Sequence, residues 1–261
     1  MLFRSTGDRT LISAPGGGLL AGGSRFILSN NWGGAQLSLA SSTSTALILT
    51  VGSVNASPST AYFRGNLGVN WNAFTGGSSN NSNWFTNSAG TIDARAMPGA
   101  NTDVHFYTTN ASTGSLATSL NSAQLTIKSL TMDGGTLGTA VSIAPGAGGI
   151  LTITPGTAST GITKNAGSGA LTITAPLVLG ADQTWTNNSG SAINISGGVT
   201  GNASLTLSTG SISGTTISSG SINNTGTITN SGSGSGGSTI SAVIGPNVTG
   251  VIQNSLTSSL T

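Results

Sequence analysis

The sequence predicts an all-β protein, a parallel β-helix (β-solenoid) with a Trp-rich, less regular insert or cap. Three observations lead to this prediction. A short phrase in which Ile, Leu or Val alternates with Thr, Ser or Asn recurs along the chain, Gly or Asn closes most copies, and charged residues are scarce. Such alternation over three to six residues is typical of strands with one buried face. No segment combines helix periodicity with capping signals, so helices are not expected.

The repeat interval suggests how the strands are arranged. Leu-Thr-Ile-Thr occurs at residues 151–154 and 171–174, and Ile-Asn-Ile-Ser follows at 193–196, which gives intervals of 20 and 22 residues. An interval of this size matches one solenoid coil made of two or three short strands. We therefore expect inward Ile, Val and Leu to stack in columns, with Gly and Asn at the corners.

The scarcity of charge fits the same geometry. Only seven basic and five acidic side chains occur among 261 residues, and residues 183–261 carry none. In a parallel solenoid, equivalent side chains of successive coils stack about 4.8 Å apart, where like charges repel by roughly 1 kcal/mol in water. Neutral Thr, Ser and Asn avoid this repulsion and can hydrogen-bond along the ladder. The 36% share of hydrophobic residues argues against disorder.

Three regions are predicted. Residues 1–60 are interpreted as the β-rich end of a preceding repeat module. Residues 61–120 hold most of the aromatic residues and the only His, and form an insert or cap, because large apolar rings are not left in water. Residues 121–261 are the β-solenoid repeats, expected to continue beyond the C-terminus because solenoids need capping repeats. No signal peptide or apolar run of transmembrane length is found.

Composition also bears on partners and cofactors. The basic residues are scattered and form no patch, so nucleic-acid binding is not expected. The chain has no Cys, which excludes disulfides and thiolate metal sites. No cofactor and no metal are predicted.

Two groups of motifs resemble a known family. One is Trp-Asn-Ala-Phe-Thr-Gly at 71–76, Asn-Trp-Phe at 83–85 and Met-Pro-Gly-Ala-Asn-Thr-Asp-Val-His-Phe at 97–106; the other lies at 176–187 and 193–198. They resemble bacterial autotransporter-associated β-strand repeat (passenger-associated transport repeat) proteins. The resemblance implies a right-handed parallel β-helix, exported to the cell surface or secreted, and outer membrane-associated in a Gram-negative-type bacterium. Membrane association would then depend on regions outside this chain.

Asp103 and His105 are the residues most suggestive of chemistry. At positions i and i+2 of a strand they share one face. A metal site would need a third ligand, for which Asp93 is the plausible extra carboxylate nearby. A nucleophilic triad would need a suitably placed Ser. The favoured interpretation is that Asp103 supports a turn and His105 lies on the strand surface.

An enzyme is not predicted, and no catalytic residue is proposed. β-Helical enzymes that cleave glycans use clustered carboxylates or bound calcium. The acids here are widely spaced along the sequence and none repeats at the coil interval; they are Asp8, Asp93, Asp103, Asp133 and Asp182.

Four tryptophans and two Thr motifs bear on ligand binding. Core packing is the favoured role of Trp32, Trp71, Trp84 and Trp185, with sugar stacking on Trp71 and Trp84 as the alternative. Flat rows such as Thr152/Thr154 and Thr172/Thr174 would suit ice if they shared one face.

The leading expectation is a non-catalytic structural or interaction segment of a large surface-exposed or secreted passenger protein, acting in adhesion, aggregation or surface coating. Its partners would be cell-surface glycans or other extracellular surfaces, with lateral or end-to-end self-association also open. A carbohydrate- or ice-binding module and a phage or virus fibre segment are the alternatives.

Overall fold

The structure is a computed structural model that describes residues 7–13, 15, 35–39, 42–43, 45–75, 80–106, 116–133, 139–156 and 159–261. Every regular element in these ranges is a β-strand, which confirms the all-β prediction. Within them, no helix is long and apolar enough to cross a membrane.

The N-terminal strands form a small sheet of their own. Strands β1 (Gly7–Ser13), β3 (Ala46–Val54) and β2 (Ala35–Ser38) pair antiparallel in that order. The parallel coils begin only after this sheet.

The remaining strands form three faces of a β-solenoid, in which all neighbours are parallel except β4 and β5. The first face contains β7 (Ala117–Ser119), β10 (Val141–Ala144), β13 (Leu171–Ile173), β16 (Ile193–Ile195), β19 (Thr215–Ile217) and β22 (Thr239–Ile240). The second face contains β8 (Gln124–Ile127), β11 (Ile150–Ile153), β14 (Leu177–Leu179), β17 (Val199–Gly201), β20 (Ser221–Ile222) and β23 (Val243–Ile244). The third face contains β4 (Thr60–Phe63), β5 (Trp84–Phe85), β6 (Asp103–His105), β9 (Ser129–Met132), β12 (Thr160–Lys164), β15 (Gln183–Asn187), β18 (Leu205–Thr209), β21 (Gly226–Asn230) and β24 (Val248–Gln253).

From β7 onward the chain visits the three faces in turn, so the 6-stranded first and second faces define six coils. This confirms the parallel β-solenoid prediction. Leu171 is the ladder partner of Ile193, which in turn is the partner of Thr215, so these two coils take 22 residues each, and the step from Thr216 to its partner Thr239 takes 23.

One part of the predicted repeat is wrong. The Leu-Thr-Ile-Thr phrases at 151–154 and 171–174 are not successive coils, because Leu151 pairs with Leu177 on the second face while Leu171 lies on the first. The 20-residue interval therefore joins two faces. Every face needs the same alternation of inward apolar and outward polar residues, so the phrase does not identify the face to which it belongs.

The core is a set of apolar columns that run along the solenoid. On the first face, Ile143, Ile173, Ile195 and Ile217 are ladder neighbours and each is fully buried. On the third face Trp185 stacks between Ile162 and Leu207. These columns remove apolar surface from water, which is the main force that holds the coils together.

An aromatic cluster fills the N-terminal end of the solenoid. The rings of Trp71 and Trp84 meet edge to face with centroids 4.9 Å apart, and Phe63 and Phe106 pack beside them. Trp71 Nε1 donates to Thr118 Oγ1 at 3.0 Å, which connects the cluster to β7 of the first coil. Because the four rings are buried, this end of the core is closed.

Candidate functional site

A polar cluster lies on the outer surface of the third face, at its N-terminal end. It contains Asp103, His105, Lys128 and Asp133, which contact one another in pairs. In β6, Val104 points into the core with 0% exposure, while Asp103 and His105 point outward. The two side chains thus share one face, as their spacing predicts.

His105 forms a hydrogen-bond contact with Asp133 and a ring contact with Tyr62. His105 Nδ1 lies 2.7 Å from Asp133 Oδ2, and the ring centroids of His105 and Tyr62 are 4.8 Å apart. Burial raises the pKa of Tyr62, and the negative charge of Asp133 raises it further. Asp133 also accepts a hydrogen bond from Asn165 Nδ2 at 3.4 Å, so both of its oxygens are engaged.

Asp103 lies two residues before His105 on the same strand and has its own partners. Lys128 Nζ donates to Oδ2 at 2.8 Å and Ser129 Oγ donates to Oδ1 at 2.6 Å. Burial raises the pKa of Asp103, but the hydrogen bonds from Lys128 and Ser129 and the positive charge of Lys128 more than offset this, so the pKa lies below its usual range. Asp103 therefore pairs across the ladder to β9 rather than only supporting a turn.

The prediction of Asp93 as the nearby carboxylate is wrong. Asp93 accepts hydrogen bonds from the backbone N–H groups of Ser82 and Arg95, at 3.0 and 2.7 Å. It thereby fixes the backbone of the segment that contains Trp84 and Phe85. The carboxylate beside His105 is Asp133, which reaches it from the end of β9 in the next coil. The early coils exceed 22 residues, so no fixed repeat in the sequence indicates this neighbour.

The described ionisable side chains of this cluster are paired with one another. No group of three His or carboxylate side chains that could hold a metal ion occurs among the residues described. His105 is held by Asp133, and Asp103 by Lys128. These contacts join β6 to β9 and to the residues that flank it, and so fix the register of the two strands.

Trp71 and Trp84, the candidates for sugar stacking, are fully buried. Trp84 Nε1 donates to the backbone carbonyl of Trp71 at 2.8 Å, and neither ring face is open to a ligand. Trp185 is also buried and donates from Nε1 to Gln183 Oε1 at 3.0 Å. Trp32 lies outside the described residues.

The Thr rows proposed for ice do not share a face. Thr152 lies on the second face opposite Val178, whereas Thr172 lies on the first face between Ser142 and Asn194. The longest hydroxyl columns are instead on the third face. One column contains Thr131, Thr163, Thr186 and Ser208, and the other contains Thr184, Thr206 and Thr229.

A buried cation that the sequence analysis did not single out lies inside the solenoid. Lys164 is 0% exposed, and its Nζ donates to the carbonyls of Ser191 at 2.7 Å and Ser168 at 3.4 Å. Burial lowers the pKa of Lys164 to about 8. The sequence signal was the position of Lys164 two residues after the inward Ile162, which places it in the inward phase of the strand.

Comparison with models of protein families, with curated protein sequences and with solved structures finds no match to this chain.

Proposed function

We propose that this chain is a structural and interaction segment of a large, exported β-helical protein of the autotransporter passenger kind, with a right-handed helix displayed at the cell surface or secreted. The observation that carries the proposal is the unbroken run of six parallel coils, whose residues from 183 to 261 carry no charged side chain. Such a rod has a long lateral surface for its mass, which suits adhesion, aggregation or surface coating.

The chemistry of the wall supports contact with polar surfaces. Most outward strand positions in the later coils are Thr, Ser or Asn, and residues 183–261 contain no charged side chain. Hydroxyl and amide groups both donate and accept hydrogen bonds, as the hydroxyls of glycans do. Cell-surface glycans are therefore the proposed partners.

The described carboxylates support a non-catalytic role. Asp93 caps backbone N–H groups, Asp103 pairs with Lys128, Asp133 holds His105, and Asp182 Oδ1 accepts a hydrogen bond from the Ser204 N–H at 2.7 Å. Each carboxylate is thus used to fix neighbouring backbone or side chains. A glycan-cleaving site needs paired acids free to exchange protons with a substrate.

Surface labelling of the source cells tests this proposal. An antibody raised against the 261-residue chain should stain intact cells, and external protease should remove the signal while a cytoplasmic marker stays intact. Purified chain should then coat glycan-bearing beads and make them aggregate. Staining that appears only after the cells are permeabilised would overturn the proposed location, and staining of purified phage particles would favour a fibre.

The hydroxyl columns of the third face favour a second candidate, a carbohydrate- or ice-binding module. Thr184 and Thr186 alternate on one strand, and Thr206 and Ser208 repeat the arrangement on the next. We expect Thr186→Tyr to abolish thermal hysteresis or glycan-array binding if this face is used, whereas Thr172→Tyr on the first face should leave it unchanged. Absence of both activities in the unmodified chain would exclude the second candidate.

A further inference from the structure

Arg95 has a strained backbone conformation on the surface next to β5. Its φ is +51°, in the left-handed region that favours glycine and that residues with a long side chain seldom adopt. Two side chains hold it there: Asp93 Oδ1 accepts the Arg95 N–H at 2.7 Å, and Asn55 Nδ2 donates to the Arg95 carbonyl at 2.9 Å. Arg95 is exposed, so burial of its side chain does not account for the strain. Residues held in such conformations are concentrated at functional sites.

Arg64 lies across β5 from Arg95. The Arg64 N–H donates to the carbonyl of Asn83, the residue just before β5, at 2.9 Å. From the other edge of β5, the Ala94 N–H donates to the Trp84 carbonyl at 2.8 Å. Two strand spacings, about 10 Å, therefore separate the backbones at the two arginines.

The Arg64 guanidinium is held in place with donors to spare. Its Cζ lies 5.2 Å from the centroid of the Phe85 ring, a cation–π contact, and Nη1 donates to the Gly90 carbonyl at 2.7 Å. A guanidinium has five N–H donors, so this single hydrogen bond leaves others for a ligand. Because the side chain is already ordered, it loses less conformational entropy when it binds one.

The surface around the two arginines has an excess of positive charge. Among the described residues, neither arginine forms a salt bridge, because Asp103 and Asp133 are engaged within the polar cluster. Asp93 lies nearby, but its oxygens accept hydrogen bonds from Ser82 and from the Arg95 N–H. Two arginines against one carboxylate leave this part of the surface positive.

We infer that Arg64 and Arg95 form a binding site for the carboxylate groups of an acidic polysaccharide. Guanidinium groups pair with carboxylates through two parallel hydrogen bonds. Two cations about 10 Å apart suit a chain that carries carboxylates at short, regular intervals, because both can bind at once. The inference refines the proposed contact with cell-surface glycans and rests on it. Its test uses the purified chain, so it can fail while the surface location holds.

Biolayer interferometry of the purified 261-residue chain on immobilised polygalacturonate tests the site. Binding should weaken as salt rises toward about 0.5 M, and neutral dextran should bind at least about tenfold more weakly. Arg95→Gly should weaken polygalacturonate binding about tenfold or more. It should not lower the unfolding temperature, because glycine adopts a φ of +51° without strain. A purely structural Arg95 would not give this pair of results.

Two further variants separate the site from net charge. Arg64→Gln should weaken binding to a similar degree, whereas Lys128→Met, which removes an equal charge that pairs with Asp103, should change it by less than about threefold. Unchanged affinity in Arg95→Gly, an equal loss in Lys128→Met, or dextran bound as tightly as polygalacturonate would each overturn the inference. Tighter binding of inorganic polyphosphate than of polygalacturonate would overturn the choice of carboxylate.

Discussion

Lys164 and Asn187 are ladder partners in neighbouring coils, and both donate to the same backbone carbonyl, that of Ser191, at 2.7 and 2.9 Å. Asn187 Nδ2 also donates to the carbonyls of Ser213 and Gly214. Two buried side chains of different length thus satisfy carbonyls at one corner of the solenoid. Asn achieves this as a neutral group, whereas Lys brings a charge into the core.

Replacement of Lys164 by Met tests the cost of that charge. The unfolded chain holds the Lys proton up to pH 10.5, whereas the folded chain loses it near pH 8. Between these values the unfolded state binds more protons, so the stability of the unmodified protein should rise with pH, by as much as about 3 kcal/mol. Below pH 8 the folded protein bears the full free-energy cost of the buried Lys164 charge.

Urea denaturation between pH 7 and 10 measures this effect. Lys164→Met should remove the rise and should be as stable as the unmodified protein, or more so, at pH 7; its ladder neighbour Met132 shows that Met suits this column. The raised pKa of Tyr62 affects both proteins equally. Equal pH dependence in the two proteins would contradict the buried position of Lys164.

Two adjacent residues of β16 test the inward and outward phases of the strands. Ile195→Asp places a carboxylate in the apolar column and should cost several kcal/mol, enough to unfold the neighbouring coils. Asn194→Asp adds the same carboxylate to the outer surface of the same strand and should change stability by less than about 1 kcal/mol. Thermal unfolding followed by far-UV circular dichroism compares them. Equal effects would show that the strand does not alternate in this phase.

Replacement of Gly201 tests how closely β17 approaches β14 in the preceding coil. Its φ of +115° is in the region that favours glycine, and an added Cβ would lie 2.3 Å from the Leu179 carbonyl oxygen. Gly201→Ala should therefore lower the free energy of unfolding by about 2 kcal/mol or more. Gly156→Ala is the control, because nothing lies within 4 Å of the added Cβ there. If Gly201→Ala were as harmless as the control, the stacking of β17 on β14 would be incorrect.

The low pKa of Asp103 tests the ladder contacts between β6 and β9. Lys128→Met should raise the pKa of the Asp103 carboxyl, measured by NMR titration, because the donated hydrogen bond and the positive charge are both lost. Arg95→Met removes an equal charge that does not contact Asp103 and should leave this pKa unchanged. Because the pKa of Asp103 is lower in the folded chain than in the unfolded chain, the ionised carboxylate stabilises the fold at any pH above the unfolded-state pKa. This stability is lost as the pH falls through the folded-state pKa. The loss should stay below about 1 kcal/mol because the pair is partly exposed.

Alternation and charge scarcity in the sequence were enough to predict the parallel coils, because each coil repeats the same local rule of apolar side chains inward and hydroxyls outward. They could not assign strands to faces. Leu151 and Leu171 obey the same rule on different faces, and only the ladder partners Leu177 and Ile193 separate them.

The polar cluster of the third face was harder to predict from the sequence. Asp103 and His105 share a face as their spacing predicts, but their partners Lys128 and Asp133 come from the next coil. The distance along the chain between Asp103 and its ladder partner Ser129 is 26 residues, unlike the 22 or 23 of later coils. Irregular coil length therefore hid the contacts that build this cluster.

The most direct test of the solenoid is a distance between residues far apart in sequence. Ser142 and Thr239 lie 97 residues apart, and four ladder steps through residues 172, 194 and 216 join them on the outside of the first face. The chain has no Cys, so the double variant Ser142→Cys/Thr239→Cys carries spin labels at these two positions alone. Pulsed electron paramagnetic resonance should give one narrow distance near 19 Å, that is, about four strand spacings. A broad distribution, or a distance beyond about 30 Å, would contradict the stacked parallel coils.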